Sequence, residues 1–161
     1  MGGNFSYTPS EYTETLLIRD GADIRFPDTI IPALDSNLDI KGNQVLQVPE
    51  YKGSFWASYS LPLGDNGTVD FMFSASWIDD VYFSQFETEV DRAPAYERYD
   101  FRATWKSPDD NWRVTGFVSN LLDEIGIRQI ERHGEGEGFR PTGQVTEPRM
   151  YGLEVTYSMG Q

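Results

Sequence analysis

Apolar and polar residues alternate with a period of two near the end of the chain. One face of this run collects Tyr151, Leu153, Val155, Tyr157 and Met159, and the other collects Gly152, Glu154, Thr156 and Ser158. A period of two predicts an extended strand with one apolar and one polar side. The run is about ten residues long, which is enough for a tilted strand to cross a bilayer core.

Four upstream segments repeat this alternation, at residues 50–61, 69–77, 99–106 and 112–119. The segment 3–19 is more mixed and contains Pro9, which predicts a bent or edge strand. Such segments are typical of transmembrane β-barrels, in which the apolar face meets lipid and the polar face meets a wet lumen. We therefore predict an all-β fold, an antiparallel up-and-down meander of about six strands that forms a partial transmembrane β-barrel.

The connections alternate between long and short. The short ones, 62–67 and 107–111, contain turn residues, including the pair Asn66-Gly67, in which both residues tolerate a positive φ. The long ones, 20–47, 79–94 and 121–148, are predicted to be long loops. Outer-membrane barrels have long external loops and short periplasmic turns, so we expect the chain to end on the periplasmic side.

Aromatic residues are frequent, with 10 Phe, 9 Tyr and 4 Trp. Aromatic rings favour membrane interfaces because one end is apolar and the other is wet. We expect Trp105, Trp112 and Tyr157 near one interface and a second group near the other. That second group comprises Trp77, Tyr96 and Tyr99.

The amino-acid composition excludes several kinds of partner and site. The formal net charge is −13, which argues against nucleic acid and against anionic lipid headgroups as partners. There is no cysteine, hence no disulfide framework and no cysteine-ligated metal. No apolar run reaches the length of a transmembrane helix, and the start lacks the pattern of a secretory leader, so we expect a piece of a longer chain.

Four short motifs resemble segments of TonB-dependent outer-membrane receptors. NWRVTGFVSNLLDE at 111–124 is similar to the segment before the final strand of those receptors, and PRMYGLEVTY at 148–157 is similar to the final strand itself. VPEY at 48–51 and YDFRA at 99–103 resemble earlier strands. The family usually ends on an aromatic residue, whereas Ser158-Met159-Gly160-Gln161 follow Tyr157 here.

The resemblance implies that residues 1–161 are the C-terminal segment of a receptor β-barrel of roughly 22 strands in the outer membrane of a Gram-negative bacterium. The plug domain and the TonB box of the family have no match here. The implied function is TonB-energised uptake of a scarce solute of the iron-siderophore, vitamin or carbohydrate class. The implied partners are outer-membrane lipid, the small-molecule solute, and the TonB system through the missing plug. The candidate solute contacts, all in predicted external loops, are Trp77, Tyr82, Phe83, Phe86 and Arg140.

Two clusters carry candidate chemistry. His133, the single histidine, lies beside Glu135 and Glu137, but one histidine in a glycine-rich loop makes a poor transition-metal site. The acidic segment 79–91 could attract a cation, although a solvated loop explains it better. A nucleophilic triad has no basis in this sequence. We therefore expect no enzyme activity, no catalytic residue, no metal site and no cofactor.

A soluble β-sandwich that binds carbohydrate is the alternative, because its strands also alternate. The two differ in where Tyr151, Leu153 and Val155 point. In a sandwich these side chains enter a closed core, and in a barrel they form an outward belt.

Overall fold

The computed structural model describes residues 1–25 and 37–159. Within these ranges the regular structure is β-strand, with three short 3-10 turns at Gly64–Asn66, Glu89–Asp91 and Glu135–Glu137. The strands are β1 (Gly2–Tyr7), β2 (Leu17–Arg19), β3 (Asn37–Asp39), β4 (Tyr51–Pro62), β5 (Thr68–Ile78), β6 (Val81–Tyr82), β7 (Arg92–Ala93), β8 (Tyr96–Lys106), β9 (Trp112–Ser119), β10 (Ile127–Arg132), β11 (Pro141–Val145) and β12 (Met150–Tyr157). In the described part of the chain, no helix has the length and apolar character needed to cross a membrane.

Six long strands form one antiparallel sheet in the order β1-β4-β5-β8-β9-β12. Each strand pairs with the long strand that precedes it along the chain, which confirms the predicted up-and-down meander. Among the described strands, β1 pairs with β4 alone and β12 pairs with β9 alone, so both are edges of an open sheet. The edge position of β1, which ends before Pro9, was predicted from that proline.

The strand register places most of the apolar residues of the six strands on one face, while Trp56, Met72, Ile78 and Phe117 lie on the other. Directly paired residues of an antiparallel sheet share a face. One such row runs across the last four strands and comprises Phe73, Phe101, Val118 and Tyr151. The row on the opposite face comprises Ser60, Asp70, Thr104, Thr115 and Glu154. The alternation in the sequence therefore corresponds to two chemically distinct faces of one continuous sheet.

The apolar face is exposed rather than packed against a second layer. Tyr151 is 81% exposed, Leu153 72% and Val155 55%. The buried hydrophobic residues of the described ranges are Ile40, Val81 and Ala93, which lie in the long connections or in their short strands. The sandwich alternative required Leu153 and Val155 to enter a closed core, and this sheet provides none.

The polar face is concave. A cavity of about 550 Å³ on this face is lined by side chains from five neighbouring strands, β4, β5, β8, β9 and β12. Its lining includes Arg102, Lys106, Arg113 and Glu154, and Lys106 Nζ lies 2.8 Å from Asp70 Oδ2. The sheet thus curves toward its charged face, as the wall of a barrel with a wet lumen requires.

Aromatic rings mark both ends of the apolar face. At the short-turn end, the Trp112 and Tyr157 rings lie 4.7 Å apart, and the indole N–H of Trp105 donates to the carbonyl of Asn66. At the other end, the Tyr7 and Tyr51 rings stack at 4.8 Å. Trp105, Trp112 and Tyr157 thus lie at the same end of the sheet, as predicted, whereas Tyr7 and Tyr51 were not part of the prediction.

Tyr96 departs from that prediction. It pairs with Ile78 on the polar face, whereas Tyr99, three positions later, pairs with Ala75 on the apolar face. Side chains separated by an odd number of strand positions point to opposite sides, so the two tyrosines cannot share one interface. The Tyr96 ring lies against Gly126, where a Cβ atom would come within 2.7 Å of the ring.

The turn at 62–67 forms by a different geometry from the one predicted. Positive φ angles occur at Gly64 and Gly67, and not at Asn66, which belongs to the 3-10 turn. Gly67 has φ 89° and ψ −144°, a region that only glycine adopts readily. A Cβ atom at Gly67 would lie 1.9 Å from the carbonyl oxygen of Lys106.

Alanine at Gly67 is therefore expected to destabilise the sheet more than alanine at Gly64. Gly64 also has a positive φ but has open space where the added methyl group would lie, so Gly64→Ala should cost roughly 1–2 kcal/mol from backbone strain alone. Gly67→Ala adds the overlap with the backbone of Lys106 to a comparable strain. Denaturant unfolding of the two variants in lipid vesicles measures the difference, and equal losses would contradict the clash.

The long connections contain more structure than predicted. β2 and β3 pair with each other, as do β6 with β7 and β10 with β11. The segments 20–47, 79–94 and 121–148 are long connections, as predicted, and their described parts contain these short paired strands. Residues 26–36 of the first of these segments, including Pro27 and Pro32, lie outside the described residues. These strands have two to six residues, too short for a clear period of two.

Candidate functional site

Three long connections meet at one end of the six-stranded sheet. We name them loop A (8–50, described except for 26–36), loop B (79–95) and loop C (120–149). The backbone N–H of Gln47 in loop A donates to the carbonyl of Tyr82 in loop B over 2.9 Å. The side-chain amide of Asn43 in loop A donates to the carbonyl of Gln85 in loop B over 2.8 Å. Loops A and B are therefore joined by two hydrogen bonds to backbone carbonyls of loop B.

Arg132 of loop C connects all three loops. Its Nη1 donates to Asp20 Oδ2 of loop A at 2.8 Å and to Asp91 Oδ2 of loop B at 2.9 Å. Its Nη2 donates to the carbonyl of Ala22 at 2.8 Å. The Arg132 side chain is 16% exposed, and the side chains of Asp20 and Asp91 are 6% and 2% exposed. We call this group the Arg132 node.

The charged groups of the Arg132 node are paired with one another. Burial works to lower the pKa of Arg132, but the hydrogen bond and charge of Asp20, with those of Asp91, outweigh burial and raise the pKa above its usual value. Arg132 therefore stays charged, and its charge is compensated by two carboxylates. Charges this well buried are tolerated when they are paired and hydrogen-bonded.

Asn120 fixes the base of loop C. Its residue is 2% exposed, and its side-chain amide donates to the carbonyls of Glu124 at 2.7 Å and Glu147 at 3.1 Å. Its side-chain oxygen accepts from the backbone N–H of Glu124, and its own N–H donates to Asp100 on β8. The Asn of the NLLDE motif thus holds the two ends of the loop together.

The carboxylate of Glu147 also stabilises the ends of loop C where they meet the sheet. Glu147 Oε2 lies 3.4 Å from Arg98 Nη1 and 3.1 Å from Arg128 Nη2. A backbone hydrogen bond, then the charge of Arg128 and the contact with Arg98, lower the pKa of Glu147 below its ordinary value. Asn120 and Glu147 therefore join the start of loop C, after β9, to its end, before β12.

A cleft of about 480 Å³ opens between the three loops. It is lined by Asp20, Ala22, Gln47, Phe83, Ser84, Gln85, Asp91, Gln129, Ile130, Glu131, Arg132 and His133. Neutral polar groups and one aromatic ring dominate the part of the lining not occupied by the Arg132 node. A cavity of this size lies in the range of small-molecule sites, and its lining is more polar than is usual for them.

Of the five predicted solute contacts, Phe83 lines this cleft in the part of the chain that the structure describes. Tyr82 and Phe86 flank Phe83 in loop B, and partial burial raises the pKa of the Tyr82 hydroxyl. Arg140 is exposed and lies just before β11. Trp77 lies on the apolar face of β5, with its ring 6.3 Å from that of Tyr51.

The acidic residues of loop B are engaged with cations and backbone groups of the protein. Asp80 Oδ2 lies 3.1 Å from Arg92 Nε, and Glu87 accepts from the backbone N–H of Gln44.

His133 of loop C contacts Glu137 through Nδ1 and Thr142 Oγ1 through Nε2 at 3.1 Å. Within the described residues, no three His, Cys, Asp or Glu side chains form a group that could hold a metal ion.

Negative charge is concentrated in the loops. Residues 8–50, 79–95 and 120–149 contain 19 of the 26 acidic residues and 8 of the 13 basic residues, which gives −11 of the formal −13. The six-stranded sheet and its short turns are therefore nearly neutral overall. A solute that approaches the long-loop end meets a negative potential.

Several cleft residues were not identified from the sequence. Gln47, Gln85, Gln129 and Arg132 belong to three segments far apart in the chain, and Arg132 is 112 positions from Asp20. Isolated glutamines carry no spacing signal. Only the long-range pairing of the loops brings them together.

Comparisons with known proteins agree with the architecture. A family model described as TonB dependent receptor-like, beta-barrel matches residues 1–121. Among solved structures, the chain is similar to the ferric yersiniabactin uptake receptor FyuA from Yersinia pestis, with a TM-score of 0.63 and 20% sequence identity. That match covers 78% of this chain and 18% of the FyuA chain, so the chain spans less than a fifth of that structure. The search of curated proteins returned no match.

Proposed function

Since the chain belongs to the TonB-dependent receptor β-barrel family, located in the outer membrane of Gram-negative bacteria, we propose that it forms the C-terminal part of a receptor barrel that imports a scarce solute. The solute belongs to the iron-siderophore, vitamin or carbohydrate class. The TonB system supplies the energy, through a plug domain encoded upstream. The role is transport rather than catalysis.

One observation carries this proposal: the apolar residues of β12 lie exposed on an outward face. Leu153 and Val155 are 72% and 55% exposed, and the face they share continues across five other strands. In water such a face would drive aggregation, whereas in a bilayer it is the lipid contact of a barrel wall.

The two faces of the sheet and its long-loop end have different roles in transport. The apolar face holds the wall in lipid, and the concave polar face lines the passage. The Arg132 node joins the three loops, Asn120 fixes the base of loop C, and together the loops present the cleft for the first capture of solute. Phe83 is the candidate solute contact that lies in this cleft, while Tyr82, Phe86 and Arg140 lie on the surrounding loops. Trp77 is better placed for the outer membrane interface than for solute.

Uptake by cells that carry the complete gene tests the proposal. Three radiolabelled probes represent the solute classes: a ferric siderophore, cobalamin and a neutral hexasaccharide. We expect accumulation of one of them, and loss of accumulation when TonB is deleted. Accumulation that is independent of TonB, or sedimentation of the protein outside the outer-membrane fraction, would contradict the proposal.

A further inference from the structure

We propose that the cleft between loops A, B and C binds an uncharged, polyhydroxylated solute, of which a neutral oligosaccharide is the simplest form. This inference rests on the proposed function, which leaves the solute class open. The inference rests on three properties of the cleft. These are side-chain amides that make no hydrogen bond to protein within the described residues, one aromatic ring, and a negative charge that repels anions.

The amide groups are held in place by the backbone. Among the described residues, the side-chain amides of Gln47 and Gln85 make no hydrogen bond to protein, yet both residues are anchored through their main chains. Gln47 has a left-handed backbone, with φ 61°, and donates its N–H to the carbonyl of Tyr82. Each amide offers two donor hydrogens and an acceptor oxygen, which matches hydroxyl groups that both donate and accept.

Phe83 supplies the apolar surface. Its backbone N–H donates to the carbonyl of Asp91 over 2.8 Å, so the ring is positioned by the residue that also pairs with Arg132. The C–H faces of a sugar ring are apolar and pack on an aromatic ring, while its hydroxyls extend toward the flanking polar groups. Because its supports are already formed, the site loses little conformational entropy when it binds.

Charge selects against anionic solutes. The lining contains Asp20, Asp91 and Glu131 against Arg132, whose Nη1 and Nη2 already donate to protein oxygens. His133 also lines the cleft, but its two ring nitrogens contact Glu137 and Thr142. The surrounding loops add the rest of a −11 charge. A carboxylate or catecholate ligand would find no available cation in the described lining of the cleft and would meet repulsion on approach.

Binding by the complete receptor in detergent tests the solute class. The probes are a panel of neutral hexasaccharides, a hexamer of galacturonic acid as the anionic counterpart of the same size, a ferric tricatecholate and hexalysine. We expect calorimetric binding of at least one neutral hexasaccharide and at least tenfold weaker binding of the galacturonate hexamer. Stronger binding of the galacturonate, tricatecholate or hexalysine probe, or no binding of any neutral member, would overturn the proposal.

Two variants place the binding in this cleft. Phe83→Ala should weaken neutral hexasaccharide binding at least tenfold. Val90→Ala in the same loop should leave it unchanged, because Val90 is 54% exposed and lies outside the cleft lining. Equal effects of the two variants would contradict the assigned site.

Failure of this inference can be distinguished from failure of the proposed function. TonB-dependent uptake of a ferric siderophore or cobalamin, with no neutral saccharide bound, would reject the solute class and leave the transport function intact. Absence of TonB-dependent uptake for all probes would reject both.

Discussion

Replacement of Arg132 by alanine is expected to release the three long loops from one another, at a cost of about 3–5 kcal/mol to their closed arrangement. The variant leaves Asp20 and Asp91 buried, 5% and 1% exposed as whole residues, without the cation that compensates them. It also removes the hydrogen bond to the carbonyl of Ala22. Hydrogen exchange of the complete receptor should show faster exchange in all three loops and unchanged exchange in the six long strands.

Arg128→Ala is the matched control for this prediction. Arg128 lies in the same strand and contacts Glu147 at 3.1 Å, but its side chain is 53% exposed, so its loss should cost only about 0–1 kcal/mol. Addition of Asp91→Asn to Arg132→Ala should restore part of the protection, because one uncompensated charge is removed. Exchange confined to loop C in Arg132→Ala would mean that the node does not connect the loops.

Arginine at Val155 is expected to destabilise the barrel in lipid by roughly 2–4 kcal/mol if the site lies near the bilayer midplane. Val155 pairs with Val114 on the apolar face and is 55% exposed, so an arginine side chain there would have to enter lipid. The measurement is the free energy of unfolding in lipid vesicles, from denaturant titration.

The neighbouring substitution Thr156→Arg is the matched control, because Thr156 lies on the opposite face of the sheet from Val155. Thr156 pairs with Arg113 and lines the concave polar cavity, so an added arginine there meets water and costs only repulsion from a like charge. We expect its effect to be clearly smaller than that of Val155→Arg. Equal losses would reject the assignment of the two faces.

The long strands and their faces were predictable because one physical signal fixes both. A strand with one side in lipid and one in water must alternate, and β8 and β12 alternate over most of their length. The same rule identifies the error at Tyr96. Its separation of three positions from Tyr99 already excluded a common face, although both lie at the long-loop end.

The loop structure was not predictable for a different reason. β6 has two residues, and β10 pairs with β11 at a register that connects Ile127 with Val145. Pairs this short are stabilised by tertiary contacts, such as the buried Val81 and Ala93 that face each other across β6 and β7. Sequence reasoning selected Phe83 because it is aromatic and in a loop, but the neutral glutamines around it have no local pattern.

Collision of spin labels with oxygen and with a water-soluble nickel complex tests the central claim most directly. The chain contains no cysteine, so single cysteines at positions 153, 154, 155 and 156 provide unique labelling sites within it. In the complete receptor in lipid vesicles, we predict high oxygen and low nickel accessibility at 153 and 155, and the opposite at 154 and 156. Uniform accessibility along the strand, or nickel access at 153 and 155, would contradict a barrel wall with its apolar face in lipid.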